Sequence, residues 1–183
     1  MKNLFLLPYL FSFLFIFNCA SSSGIRYDYD LNEDFSQHQT FNICEADLIT
    51  SNTRFPHYDN SNIRDILSEE VTETLEDLGL QLDTEYPDLQ AGFKLIVTEE
   101  QTNFKDCSEN NEFHYWEKCS VKTITYTTET LILYVSNLKT NQIVWQASTD
   151  CEMNKPKSKL KSYINELVKK LYDTYPNTIQ SVH

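Results

Sequence analysis

Leu160, Tyr163, Ile164, Leu167, Val168 and Leu171 recur at steps of three and four, which puts all six on one stripe of an α-helix. A one-sided helix of this kind is stable only against a surface that covers its stripe. Lys169 and Lys170 suit the negative end of the helix dipole, and Pro176 lies beyond the expected stop. The covering surface is written in three β-rich stretches. From Gln90 to Thr98 the chain alternates, with Ala91, Phe93, Leu95 and Val97 on one side and Lys94, Ile96 and Thr98 on the other. From Thr123 to Val135 β-branched and aromatic residues dominate, and Leu131, Leu133 and Val135 share a face. Ile143 to Ala147 then returns through Asn137-Leu138-Lys139-Thr140-Asn141, a hairpin turn in which Asn141 can take a positive φ.

A second helix is predicted where Asn60-Ser61-Asn62 offers caps ahead of Ile63, Ile66, Leu67, Val71, Leu75 and Leu78, and Gly79 closes it in a left-handed conformation. Tyr27-Asp28-Tyr29-Asp30 and Thr40-Phe41-Asn42-Ile43 make the beginning of the domain β. The expectation is an α+β fold: a mostly antiparallel sheet of about four strands with two helices on one face, in the order β-α-β-β-β-α. Residues 99–122 are charged enough to read as a polar insertion outside the core.

The N-terminus carries an address. Met1-Lys2-Asn3 precedes a run from Leu4 to Phe17 broken only by Pro8 and Ser12, and Asn18-Cys19-Ala20-Ser21-Ser22-Ser23-Gly24 follows. This is the pattern of a secretory signal, shorter than the roughly 20 apolar residues that cross a bilayer. Ile16-Phe17-Asn18-Cys19 resembles a bacterial lipobox, although Asn18 stands where Gly or Ala is usual. The expected organisation is a signal peptide over 1–18, a lipidated tether over 19–25 with Cys19 acylated, and a single domain over 26–183. One acyl chain anchors only marginally, and the two or three of a lipoprotein meet the need.

Lys2 is the only charged residue among the first 18, so the remainder sets 14 basic against 27 acidic side chains, a formal charge of −13. Such a chain repels nucleic acid and anionic headgroups. No acidic cluster resembling a surface-export signal follows Cys19, which favours an outer-membrane position facing the periplasm.

Several phrases together resemble the small bacterial lipoproteins that carry domain of unknown function 4136, of the kind found in Bacteroidota. They are Tyr27-Asp28-Tyr29-Asp30 with Asp34-Phe35 and Thr40-Phe41, then Tyr86-Pro87-Asp88-Leu89, then Leu138-Lys139-Thr140 with Ile143-Val144-Trp145-Gln146, and finally Tyr175-Pro176. The resemblance implies a compact envelope domain and assigns no activity. In it, Trp145 is expected to fill the core, Thr140-Asn141 to set the hairpin turn and Pro87-Asp88 to set entry to a strand. The stretch from Cys107 to Cys119 departs from the family, whose corresponding loop is more often rich in Gly and Tyr.

Besides Cys19 there are four cysteines, an even number in a chain bound for an oxidising compartment. Three pairings exist. The one expected joins Cys107 to Cys119 and Cys44 to Cys151. The rival is a metal or thiol-dependent centre at Cys107, His114 and Cys119, joined by His57, although its spacing matches no familiar zinc motif. There is no GxSxG elbow, and three glycines leave no phosphate-cradling loop. No catalytic residue, metal ligand set or cofactor is therefore expected. Tyr115 and Trp116, within Phe113-His114-Tyr115-Trp116, are the candidate contacts to a partner. The expected role is a non-enzymatic binding or assembly module, held to the membrane by its lipid and recognising an envelope protein or cell-wall component.

Overall fold

The computed structural model describes residues 24–49, 54–107 and 119–176. Six strands form one sheet: β1 (Arg26–Tyr29), β2 (Thr40–Ile43), β3 (Gln81–Leu82), β4 (Leu89–Cys107), β5 (Cys119–Asn137) and β6 (Gln142–Asp150). Their order across the sheet is β1-β6-β5-β4-β2-β3. Among the described residues three helices accompany them, α1 (Glu45–Leu48), α2 (Ser61–Asp77) and α3 (Lys157–Tyr172), with a 3-10 turn at Phe35–Gln37.

This corrects the expectation of about four, mostly antiparallel strands and two helices. The sheet is mixed, because β2 runs parallel to both β3 and β4 while the remaining pairs are antiparallel. After β2 the chain crosses back along α2 before re-entering the sheet, and a returning helix makes the next strand parallel to the last. The additional elements, among them the two-residue β3 and the four-residue α1, are too short to show a period in sequence.

The helices follow their sequence signals. Asn60 accepts a hydrogen bond from the Ile63 N–H at 3.1 Å, and Gly79 takes a φ of +94° after Leu78. Ile63, Leu67, Val71 and Leu75 of α2 are buried with Leu160, Ile164, Val168 and Leu171 of α3 against one sheet face. That face is made by Ala91, Phe93, Leu95 and Val97 of β4 and Leu131, Leu133 and Val135 of β5. In the β5–β6 hairpin Asn141 has a φ of 55°. A register shift between Val135 and Ser136 lets Val144 and Trp145 both enter the core. Trp145 is fully buried, stacked on Tyr172 at 4.7 Å and set edge-on to Tyr175 at 5.5 Å.

Residues 99–122, expected as an insertion, are to a large part strand. β4 and β5 stay in one unbroken register from Leu89 opposite Asn137 to Cys107 opposite Cys119. The charges that argued against a core are compatible with a strand pair that has little core to cover.

Candidate functional site

On the sheet's helix-free face a polar cluster gathers where β2 ends. The Asp47 carboxylate, wholly buried, accepts from the Phe93 N–H at 3.1 Å and the Tyr134 hydroxyl at 2.6 Å, and pairs with Lys94. Asp47 thus takes over the edge of β4 just where β2 stops supplying ladder partners. Gly92 lies beneath: a Cβ there would collide with the Tyr134 phenol and the Asp47 carboxylate. Burial, followed by the bonds to Asp47 and Cys44, pushes the Tyr134 hydroxyl far above its ordinary range. Behind the cluster, Arg64 of α2 makes a two-point ion pair with Asp59, both contacts at 2.7 Å and both groups buried, and donates to the Asp47 carbonyl. Every member is satisfied by another member, so the arrangement works as a brace between α2, α1 and β4 rather than a site with a reactive group to spare.

Beyond this body β4 and β5 continue alone. β6 leaves β5 at the pairing of Thr130 with Asp150, and β2 leaves β4 at Ala91. Ten residue pairs, from Thr98 opposite Thr128 to Cys107 opposite Cys119, project as a two-stranded ribbon about 33 Å long at the usual rise per residue. Its two faces differ. Phe104, Ile124 and Tyr126, with Ile96 just below the root, lie exposed on the face continuous with the outer side of the sheet, and Glu99, Gln101, Asn103, Thr123, Thr125 and Thr127 lie on the other, where Val121 is the one exposed apolar side chain among the described residues. Thr98 with Thr128 and Thr123 with Asn103 hydrogen-bond across the strands at 2.8 Å, and Tyr126 donates to Glu100 at 2.8 Å.

Elsewhere among the described residues there are small hollows. One of ≈ 280 Å³ lies beside β1 and β6, lined by Asp30, Ile143 and Trp145 among others, and another of ≈ 210 Å³ lies along the same strands. Both fall below the roughly 300 to 1,000 Å³ of small-molecule pockets. Among the described residues no three His, Cys, Asp or Glu side chains converge as metal ligands, and no helix is long and apolar enough to cross a membrane.

The cysteines divide. Cys107 and Cys119 occupy directly opposed positions at the ribbon's end. Cys44 and Cys151 are separate free thiols, and the expected bridge between them is corrected by topology: β4 and β5 lie between their strands, about 20 Å in all from strand spacing and rise. Burial, reinforced by Glu129, pushes the Cys151 thiol up to about 12. His57 is exposed just before α2, near the Asp47 brace and some 45 Å along β4 from Cys107, so it cannot join a metal there. Cys19, His114, Tyr115 and Trp116 lie outside the described residues.

A model of the domain of unknown function DUF4136 matches residues 25–177. The chain belongs to this family. Its fold is similar to that of a DUF4136 family protein from Bacteroides thetaiotaomicron, at 19% identity and a TM-score of 0.49 over 82% of this chain and 94% of that one. A PDZ domain protein from Parabacteroides distasonis matches at 16% identity and a TM-score of 0.51, over 84% of this chain but only 35% of that longer one. No curated protein matches the chain in sequence.

In this DUF4136 domain the phrase Tyr86-Pro87-Asp88-Leu89 is a joint. The Asp88 carboxylate accepts from Gln39 N–H at 3.1 Å and from the Thr40 hydroxyl at 3.2 Å, and the Asp88 carbonyl accepts from Leu138 N–H at 3.0 Å. The Gln39 bond above all holds that carboxyl below its ordinary range. One residue thereby aligns the starts of β2 and β4 with the β5–β6 turn. Sequence reasoning missed Asp47, Asp59 and Arg64, whose polar surroundings give no periodic signal. Gly92, a glycine inside an alternating strand, was the one available sign of a close approach.

Proposed function

We propose that this DUF4136 protein is a lipid-anchored envelope protein that works by binding a partner, an envelope protein or cell-wall component, and not by catalysis. The observation that carries the reading is the ribbon. An isolated two-stranded hairpin is marginal in water, and this one exposes Phe104, Ile124 and Tyr126 on one face, continuous with Ile96 at its root, and Val121 on the other, with unpaired strand edges on either side. Exposed apolar side chains collected on a projecting strand pair fit a surface that is covered during function. The cluster at Asp47, by contrast, is consumed in holding the fold together. Acylated Cys19 would hold the protein at the outer membrane, facing the periplasm, with the ribbon free to reach outward. A source among Bacteroidota is in keeping with the DUF4136 relative from Bacteroides thetaiotaomicron.

A photo-crosslinking residue placed at Phe104 or Ile124 in intact cells tests this. One defined adduct is expected from either position and none from Asp65 on the exposed side of α2. Equal labelling from all three positions, or none from the ribbon, would sink the proposal. Replacing Tyr115 and Trp116 with alanine should weaken the same capture while leaving the melting temperature in place.

A further inference from the structure

We infer that Cys107 and Cys119 form a cross-strand disulfide that pins the end of the β4–β5 ribbon. The hydrogen-bonding phase of the β4–β5 ladder brings these two positions together. In an antiparallel pair, opposed residues alternate between those that exchange backbone hydrogen bonds, with Cα atoms about 5.5 Å apart, and those that do not, about 4.5 Å apart with side chains closer. Leu138 N–H bonds the Asp88 carbonyl, which is one rung beyond Leu89 opposite Asn137, so even-numbered β4 residues form the hydrogen-bonded pairs.

Three further contacts agree. Phe93 N–H turns away from β5 to Asp47, the Ala91 carbonyl turns away to Cys44 N–H, and the Glu129 carbonyl turns away from β4 to Cys151 N–H. Odd-numbered residues of both strands therefore direct their backbone groups outward. The register is unbroken to the end, so Cys107 opposite Cys119 is a non-hydrogen-bonded pair of the ladder. Its Cα spacing of about 4.5 Å falls inside the roughly 4.4 to 6.8 Å that disulfides require.

No competing pairing is open to them within the domain. Cys151 sits level with Glu129, ten residues along β5 from Cys119, and Cys44 sits beside Ala91, sixteen along β4 from Cys107. Both lie tens of ångströms beyond bonding reach. Each thiol gives up one proton and one electron, and the S–S bond forms as the two electrons pass to a disulfide-bearing thiol oxidase, or in a test to oxidised glutathione, which leaves as two thiols.

The test uses the full mature chain, purified in detergent, exposed to oxidised glutathione, denatured, alkylated without reduction and digested with trypsin. Cleavage after Lys105, Lys118 and Lys122 puts the two cysteines on separate peptides, 106–118 and 119–122. The expected result is one linked pair of these peptides, about 2 Da lighter than their sum, with Cys44 and Cys151 alkylated. Reduction should also speed amide exchange in the ribbon while leaving β6 and α3 as they were. Alkylation of both Cys107 and Cys119 would overturn the inference, as would linkage of either to Cys19, Cys44 or Cys151. Zinc retained by the chain, with both thiols protected until a chelator removes it, would overturn it in favour of a metal centre. None of these outcomes depends on whether the ribbon binds a partner.

Discussion

At Gly92 the absence of a side chain is what lets Tyr134 and Asp47 meet over the strand. The Gly92→Ala variant should lose about 1 to 3 kcal/mol, because the carboxylate that must give way is held by a backbone amide, a phenol and a lysine. Asp47→Ala would strand the Phe93 N–H and the Tyr134 hydroxyl, at a cost of about 3 kcal/mol. Lys94 is half exposed, so its ion pair adds little to that figure. Denaturant titration of the two variants measures both losses. Tyr134→Phe in the Gly92→Ala background should not restore stability, since the phenyl ring still occupies the space the new methyl needs. Asp47 was invisible in sequence because its role depends on a strand 46 residues away.

Among the elements, α2 is joined to the sheet through charge as well as through its apolar stripe. Arg64 and Asp59 are both buried, and removing one leaves the other unpaired, so Arg64→Met should cost roughly 3 to 5 kcal/mol by thermal or chemical unfolding. By contrast Asn60→Ala removes one cap and should cost about 1 kcal/mol. At the other end of the sheet Glu129 faces the core and accepts from Met153 N–H at 2.5 Å. Burial outweighs that bond and raises its pKa, with Glu152 adding to the rise and Lys155 opposing it. A carboxyl whose folded pKa lies above its unfolded one favours folding when protonated. Its contribution is complete below the ordinary glutamate value and is lost as pH rises through the raised one. Asp34, Asp83 and Asp88, held low chiefly by hydrogen bonds, act in the opposite sense, losing their contribution as pH falls. Glu129→Gln keeps an oxygen for Met153. The difference in stability between variant and parent should therefore grow in the variant's favour from acid to neutral pH, and a constant difference would show that Glu129 titrates normally.

For the molecule as a whole, the body and the ribbon have different claims on stability. The body encloses one core, from Phe41 through Trp145 to Tyr175, whereas the ribbon depends on its root, its cross-strand threonines and the bridge inferred at its end. Hydrogen exchange should find the slowest amides in residues 131–135 and at Gly92, Lys94 and Ile96, whose N–H groups pair with β5, and progressively faster ones along the ribbon. Under the lipoprotein reading, Cys19→Ala should move the protein from the membrane to the soluble fraction with its unfolding transition unchanged. A variant that stays with the membrane and keeps residues 1–18 would point to an uncleaved signal anchor instead.

The sequence by itself determined both long helices, the β5–β6 hairpin with its left-handed Asn141 and the placing of Trp145 in the core. Each follows from local periodicity, a cap or a turn residue, which act over a few positions. It also carried the family, through short phrases whose joint at Asp88 proved structural. Tertiary structure alone decided the parallel pairing of β2, the edge strands too short to show a period, the brace built on Asp47, and the separation of Cys44 from Cys151. The ribbon falls with these. Its charged and threonine-rich residues obey no core-facing pattern because one strand is supported only by the other, and that support becomes visible only once the partner strand is in register.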